Sequence, residues 1–265
     1  MSLTNWLNSE KDTVCLHEGK ERLIEAPGKQ WLPFLTLQNF KAYADPREGP
    51  KILLQTRGNL AEVLACSGKS RLGDIAYNYA PFVGDLAAAF PDAKLLILVR
   101  DGRDFVRSVV TNEIPDPTPV GWLSADRTIT NQEKFIALGR LRPLPDSPHF
   151  EAWESYSLIE KNAWLWSETY RLILDGVKAW PQEMVLIIKS EELFQNSIAC
   201  YARIRAFLGI DHPMSSITEE LLKTPINSRG DHVLPHWREW SAEMIDEFDR
   251  QASEMMQRLD YESAG

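Results

Sequence analysis

Residues 90–108 hold the side chains best suited to gripping an anion. The apolar run 95–99 ends at Arg100-Asp101-Gly102-Arg103-Asp104, and Ser108 follows about one turn into a helical pattern. A guanidinium at a strand tip, free N–H groups at a helix start and a hydroxyl on the same side make a site for phosphate or sulfate. Each charge-assisted hydrogen bond there contributes ~1.5–3 kcal/mol. Gly102 permits a sharp turn, and Asp101 or Asp104 can cap a helix expected to start near Asp104. The same residues allow a structural use, with Arg100 clamped on Asp101 or Asp104. Cys66-Ser-Gly-Lys-Ser70 is a weaker candidate. A Walker-type loop needs glycine where Val63 stands and a helix afterwards, but a strand pattern comes next here, so Lys69 is expected in a surface turn. His149, His212, His232 and His236 show no metal-ligand spacing on a shared helix face. No Ser–His–Asp arrangement can be read from spacing.

The elements that must position these groups are legible as apolar runs. Residues 94–99 and 184–188 read as buried parallel strands, because neither alternates. Weaker strands are expected at 14–17 and 71–76. Helical patterns occupy 81–90, 104–111, 161–179, 198–208 and 242–259. Strands alternating with helices predict a three-layer α/β/α domain with a mainly parallel sheet over 1–265. Such folds bind ligands at the carboxyl ends of the strands. The prolines at 115, 117, 119, 143, 145 and 148 mark an irregular insertion over 113–153, expected to cover the substrate. Trp164, Trp166 and Trp180 fall in a helical pattern and read as core, with Trp164 or Trp166 open to flank a base.

The whole string Phe-Pro-Asp-Ala-Lys, apolar strand, Arg-Asp-Gly-Arg-Asp and Ser108 resembles the 3′-phosphate-binding segment of sulfotransferases that use 3′-phosphoadenosine 5′-phosphosulfate (PAPS). That resemblance implies that Arg100 and Ser108 hold the 3′-phosphate, in a P-loop nucleotide-kinase-like fold. It extends over most of the chain. Residues 77–86 are similar to the family's lead-in helix, 185–193 to its strand and acidic "Tyr-Glu-Asp-Leu" turn, and 204–209 to the short helix before its C-terminal cofactor loop. Residues 226–231, with Trp237-Arg-Glu-Trp-Ser241 after them, stand where the family has an Arg-Lys-Gly loop. Arg229 and Gly230 take its part, although the Lys is absent; a helix-capping turn is the other use of these residues.

The resemblance also implies the reaction, transfer of a sulfuryl group from PAPS to a hydroxyl (or amine) of a small-molecule or glycan acceptor, with no metal. Positioning and electrostatics dominate such in-line transfers, and a base must take the acceptor's proton. The family places a His or Glu near the segment Val14-Cys-Leu-His-Glu-Gly-Lys20. Glu18 is the first choice and His17 the second, since neighbours on a strand face opposite sides. Lys20 would neutralise the leaving phosphate. A charged surface turn is the plain alternative. The family's Gly-rich Lys/Arg-Ser-Gly-Thr-Thr loop for the 5′-phosphosulfate is missing, and Thr4-Asn-Trp-Leu7 is similar to the start of the helix that the family has directly after that loop. Two further expectations stand beside turnover: a protein that binds adenosine 3′,5′-bisphosphate without turnover, or a chain truncated at its N-terminus. Met1-Ser2-Leu3 also fits a vector scar.

Composition excludes several other classes. The 265 residues carry a net charge of −9 and are 44% hydrophobic, so a core is expected and a general nucleic-acid or anionic-membrane binder is not. Any anion must be held by a local cluster of donors against that field. Cys15, Cys66 and Cys200 are odd in number and far apart, which suits a reducing cytoplasm rather than a disulfide framework. No apolar run approaches the ~20 residues of a membrane span, and no secretory signal pattern opens the chain.

Overall fold

The computed structural model describes residues 2–18, 35–113, 139–223 and 232–262. Four short strands form: β1 (Thr13–His17), β2 (Arg71–Ile75), and the two aliphatic runs β3 (Leu95–Val99) and β4 (Val185–Lys189). β1 pairs with β2 and β3 with β4, both in parallel, from Thr13↔Arg71 to His17↔Ile75 and from Leu95↔Val185 to Val99↔Lys189. The expected single sheet is thus two parallel pairs among the described residues.

Side chains join the two pairs. Cys15, Ile75, Leu96, Leu98 and Ile188 share one core with Leu3, Trp6 and Leu7 of α1 (Ser2–Asn8) and with Cys200, Tyr201 and Ile204 from the helix Ser197–Leu208. β3 alternates between two cores, as a strand must. Its Ile97 and Val99 face the other way, onto Val106 and Val110 of the helix Gly102–Glu113, Trp166 and Tyr170 of the helix Leu158–Val177, and Phe248 and Met255 of the helix Ala242–Arg258. Helices therefore cover both faces of β3, and the α/β class holds. Ile187 of β4 departs from the expected two-sided burial and is 43% exposed.

In chain order the remaining helices are α2 (Thr36–Ala44), α3 (Gly49–Arg57), α4 (Leu60–Ser67), α5 (Val83–Ala89), α6 (Gly102–Glu113), α7 (Leu158–Val177), α8 (Ser190–Gln195), α9 (Ser197–Leu208), α10 (Ser216–Lys223) and α11 (Ala242–Arg258). α6 starts two residues before the expected Asp104. Asp101 is its cap: Oδ1 accepts the Arg103 N–H at 2.9 Å, and the Asp101 carbonyl accepts the Phe105 N–H at 2.9 Å. Gly102 is not in the left-handed region. Its glycine serves space instead, because a Cβ there would lie 3.0 Å from Phe248 and Trp166 ring atoms. α7 begins at a capping box, in which Ser157 and Glu160 satisfy each other's backbone N–H groups at 3.2 and 3.0 Å.

The amino ends of β1 and β2 are closed by charge pairs. Buried Glu10 accepts from Arg205 at 2.9 Å and from the Tyr201 hydroxyl at 3.0 Å, while Asp12 pairs with Arg71. Asn8 clamps β1 by giving and taking one hydrogen bond with the Cys15 backbone, each 2.7 Å. Lys69 lies in the turn between α4 and β2, as expected, with Nζ donating to the Lys11 carbonyl at 2.8 Å. No described helix is long and apolar enough to cross a membrane.

Candidate functional site at the carboxyl ends of the strands

Arg100 stands at the tip of β3 with its side chain exposed. Its backbone is held on every side. The Arg100 N–H donates to the Tyr170 hydroxyl at 3.2 Å, and that hydroxyl donates to the Leu98 carbonyl at 2.9 Å. The Arg100 carbonyl accepts the Trp166 indole N–H at 3.0 Å. Trp166 and Tyr170 are four residues apart on α7, so one helix face presents both to the strand tip. Burial pushes the Tyr170 hydroxyl up to about 12 and keeps it protonated to donate. Trp166 is 2% exposed and Trp164 4%, so both belong to the core and neither is open to flank a base.

The structural pairing open to Arg100 falls to Arg103 instead. Arg103 Nε and Nη2 meet the two Asp101 carboxylate oxygens at 2.9 and 2.7 Å, and the guanidinium lies 3.7 Å from the Trp237 ring centroid. Among the described residues no carboxylate forms a salt bridge with Arg100. Asp104, on the first turn of α6, is the nearby competing charge. Burial raises its carboxyl above the usual range and the Asp101 charge adds to this, while Arg100 and His236 pull it back.

Ser108 is half-buried further along α6. Around it the C-terminal segment is tied down: Arg107 Nε donates to the Leu234 carbonyl at 3.1 Å, and the Val233 N–H donates to the Thr111 hydroxyl at 3.2 Å. Arg229 and Gly230 lie outside the described residues, but the segment that leaves them runs along the helix that carries Ser108.

At the tip of β1, the Glu18 N–H continues the ladder by donating to the Ile75 carbonyl at 3.1 Å. Glu18 itself has φ 54°, a left-handed conformation that costs a non-glycine residue roughly 1–2 kcal/mol. The strand ends at His17, so simple alternation of His17 and Glu18 across a strand does not decide which faces outward; both are half-buried. Tyr77 is 52% exposed as a residue. Desolvation raises its hydroxyl above the usual value, with Arg140 opposing and Glu18 adding. Arg140 is 4% exposed and donates to Asn162 Oδ1. The neighbouring Gly139 carbonyl accepts from Asn39 Nδ2 at 3.1 Å. The returning end of the Pro-rich insertion therefore brings a buried cation near the β1 and β2 tips. Lys20 and residues 114–138 lie outside the described residues.

Tyr170 and Arg140 are parts of the site that sequence patterns do not single out. Spacing along the chain does not connect Arg140 with Glu18. Among the described residues no group of three His, Cys, Asp or Glu side chains could hold a metal.

No protein-family model matches this sequence, and no curated protein matches it. Among solved structures, a sulfotransferase from Alicyclobacillus acidocaldarius is 16% identical, with 98% of this chain and 91% of that one covered and a TM-score of 0.48. The sulfotransferase domain from the curacin biosynthetic pathway is 11% identical over 86% of this chain and 78% of that one, with a TM-score of 0.45. Both likenesses are weak, and the chemistry of the site rests on its own residues.

Proposed function

We propose that this chain binds PAPS by its adenosine 3′,5′-bisphosphate part and transfers the sulfuryl group to a hydroxyl (or amine) acceptor. The observation that carries this is Arg100: an exposed guanidinium, without a carboxylate partner among the described residues, whose backbone N–H and carbonyl are both held by buried side chains. A cation fixed in this way binds a doubly charged ester without first ordering its own backbone. The resemblance of residues 90–108 to the 3′-phosphate segment selects the ligand, with Ser108 as second donor and Arg229 and Gly230 closing over it.

In the transfer, the acceptor oxygen attacks sulfur as the bond from sulfur to the bridging phosphate oxygen breaks. The electron pair of that bond leaves on adenosine 3′,5′-bisphosphate. The acceptor's proton passes to the Glu18 carboxylate, with His17 the alternative base. Lys20 offsets charge on the leaving phosphate. A second reading is binding of adenosine 3′,5′-bisphosphate without turnover.

Calorimetric titration with adenosine 3′,5′-bisphosphate tests the site. We expect saturable binding, and no binding at millimolar ligand overturns the assignment. Binding without PAPS consumption across a panel of hydroxyl and amine acceptors selects the second reading.

A further inference from the structure

The acidic turn after β4 holds a carboxylate where an anion site should avoid one. Glu191, in the first turn of α8, accepts the Asp101 N–H on Oε1 at 2.9 Å. Its other oxygen, Oε2, accepts the Tyr261 hydroxyl at 2.9 Å. A negative charge beside the phosphate-binding arginine weakens anion binding by simple Coulomb repulsion. The backbone explains its presence. The Arg100 N–H and carbonyl are satisfied by Tyr170 and Trp166, and the Asp101 N–H is the next donor along the turn. Glu191 closes that last gap.

The C-terminus is shaped to hold Glu191 in place. α11 ends in a Schellman motif: the Tyr261 N–H donates to the Met256 carbonyl at 2.9 Å and the Asp260 N–H to the Gln257 carbonyl at 3.1 Å. Asp260 sits at φ 56°, the left-handed position that this motif ordinarily gives to glycine. The reversal swings Tyr261 back to β4. There the Lys189 ammonium lies 4.4 Å from the Tyr261 ring centroid and donates to the Asp260 carbonyl at 2.6 Å. Burial, and then the Glu191 charge, hold the Tyr261 hydroxyl above its usual value, so it stays a donor.

We propose that Glu191 is a positioning residue for Arg100, fixing the Arg100–Asp101 turn through the Asp101 N–H, and that Tyr261 steers Glu191. This makes the C-terminal reversal of α11 part of the anion site, some seventy positions away from Glu191 in sequence. The inference rests on the reading of Arg100 as the nucleotide's phosphate ligand.

The test compares wild type, Glu191→Ala, Glu191→Gln and Tyr261→Phe in two readouts: titration with adenosine 3′,5′-bisphosphate, and hydrogen exchange at the Asp101 amide of the free protein. We expect Glu191→Ala to weaken binding at least tenfold and to lose protection at the Asp101 amide. Glu191→Gln keeps an acceptor without the charge, so it should bind at least as tightly as wild type. Tyr261→Phe should weaken binding about threefold. Wild-type affinity in Glu191→Ala overturns the proposal; equal tightening by Ala and Gln also overturns it and assigns Glu191 a purely electrostatic effect. If wild type does not bind the nucleotide, the parent reading fails by itself. The amide exchange still decides: unchanged protection in Glu191→Ala removes the positioning role as well.

Discussion

Arg103 Nη2 lies 2.7 Å from Asp101 Oδ2 with both side chains buried, so the second arginine of Arg-Asp-Gly-Arg-Asp, not the first, makes the structural ion pair. The two arginines should therefore respond oppositely to truncation. Arg103→Ala strands a buried carboxylate and should cost ~3–5 kcal/mol in urea unfolding. Arg100→Ala should leave stability within ~0.5 kcal/mol of wild type yet weaken adenosine 3′,5′-bisphosphate at least tenfold, or ~1.4 kcal/mol. An Arg100→Ala protein with unchanged affinity would return Arg100 to a structural role.

Gly102 is packed rather than turned. Its missing Cβ leaves room for Trp166 and Phe248, which are 2% and 1% exposed and have nowhere to move. Gly102→Ala should destabilise by ~1–3 kcal/mol, the usual cost of overpacking. Since Trp166 also holds the Arg100 carbonyl, nucleotide affinity should fall with it. Thermal melting and titration of the one variant check both effects together.

Glu18 separates fold from chemistry. Glu18→Gly relieves a left-handed backbone worth roughly 1 kcal/mol, so its melting temperature should not drop. Glu18→Gln should keep nucleotide affinity while lowering turnover at least ~100-fold, the usual scale for loss of a general base. Retained turnover in Glu18→Gln, measured as PAPS consumption, would move the base to His17.

The Asp12–Arg71 pair at the other end of the strands sets an acid limit. Burial pushes the Asp12 carboxyl up, but hydrogen bonds from Arg71, His212 and Thr13 outweigh it and hold it below the usual range. An acid lowered in the folded state lends its stability above the unfolded value near ~3.9 and loses it as pH falls through the lowered one. Asp12→Asn should thus be less stable than wild type at pH 7, with the gap narrowing as pH drops below about 4. Denaturant unfolding at several pH values measures that gap; a gap independent of pH would show that the charge plays no part.

β3 and β4 are legible because each is an aliphatic run too short for a helix, while β1 and the mixed Arg-Leu-Gly-Asp-Ile of β2 give weaker signals. β3 and β4 occupy Leu95–Val99 and Val185–Lys189, within one residue of the runs at 94–99 and 184–188. The start of α6 is not legible in the same way, since Asp101 and Asp104 are equally good caps on paper. Only the Asp101 Oδ1 contact to the Arg103 N–H distinguishes them.

By itself the sequence determined the α/β class, the parallel strands and the presence of an arginine at the tip of β3. These follow from hydrophobic period and local turn chemistry, which act over a few neighbours. Which arginine pairs with Asp101 was a tertiary decision. Arg100 and Arg103 flank the same aspartate, and the choice depends on which of them Trp237 covers, a contact across more than a hundred residues. The same holds for Tyr170, Glu191 and Tyr261, whose hydrogen bonds to the β3 tip and to one another form only when distant helices pack together. Local spacing encodes elements; it carries no record of which buried donors and acceptors meet once those elements close.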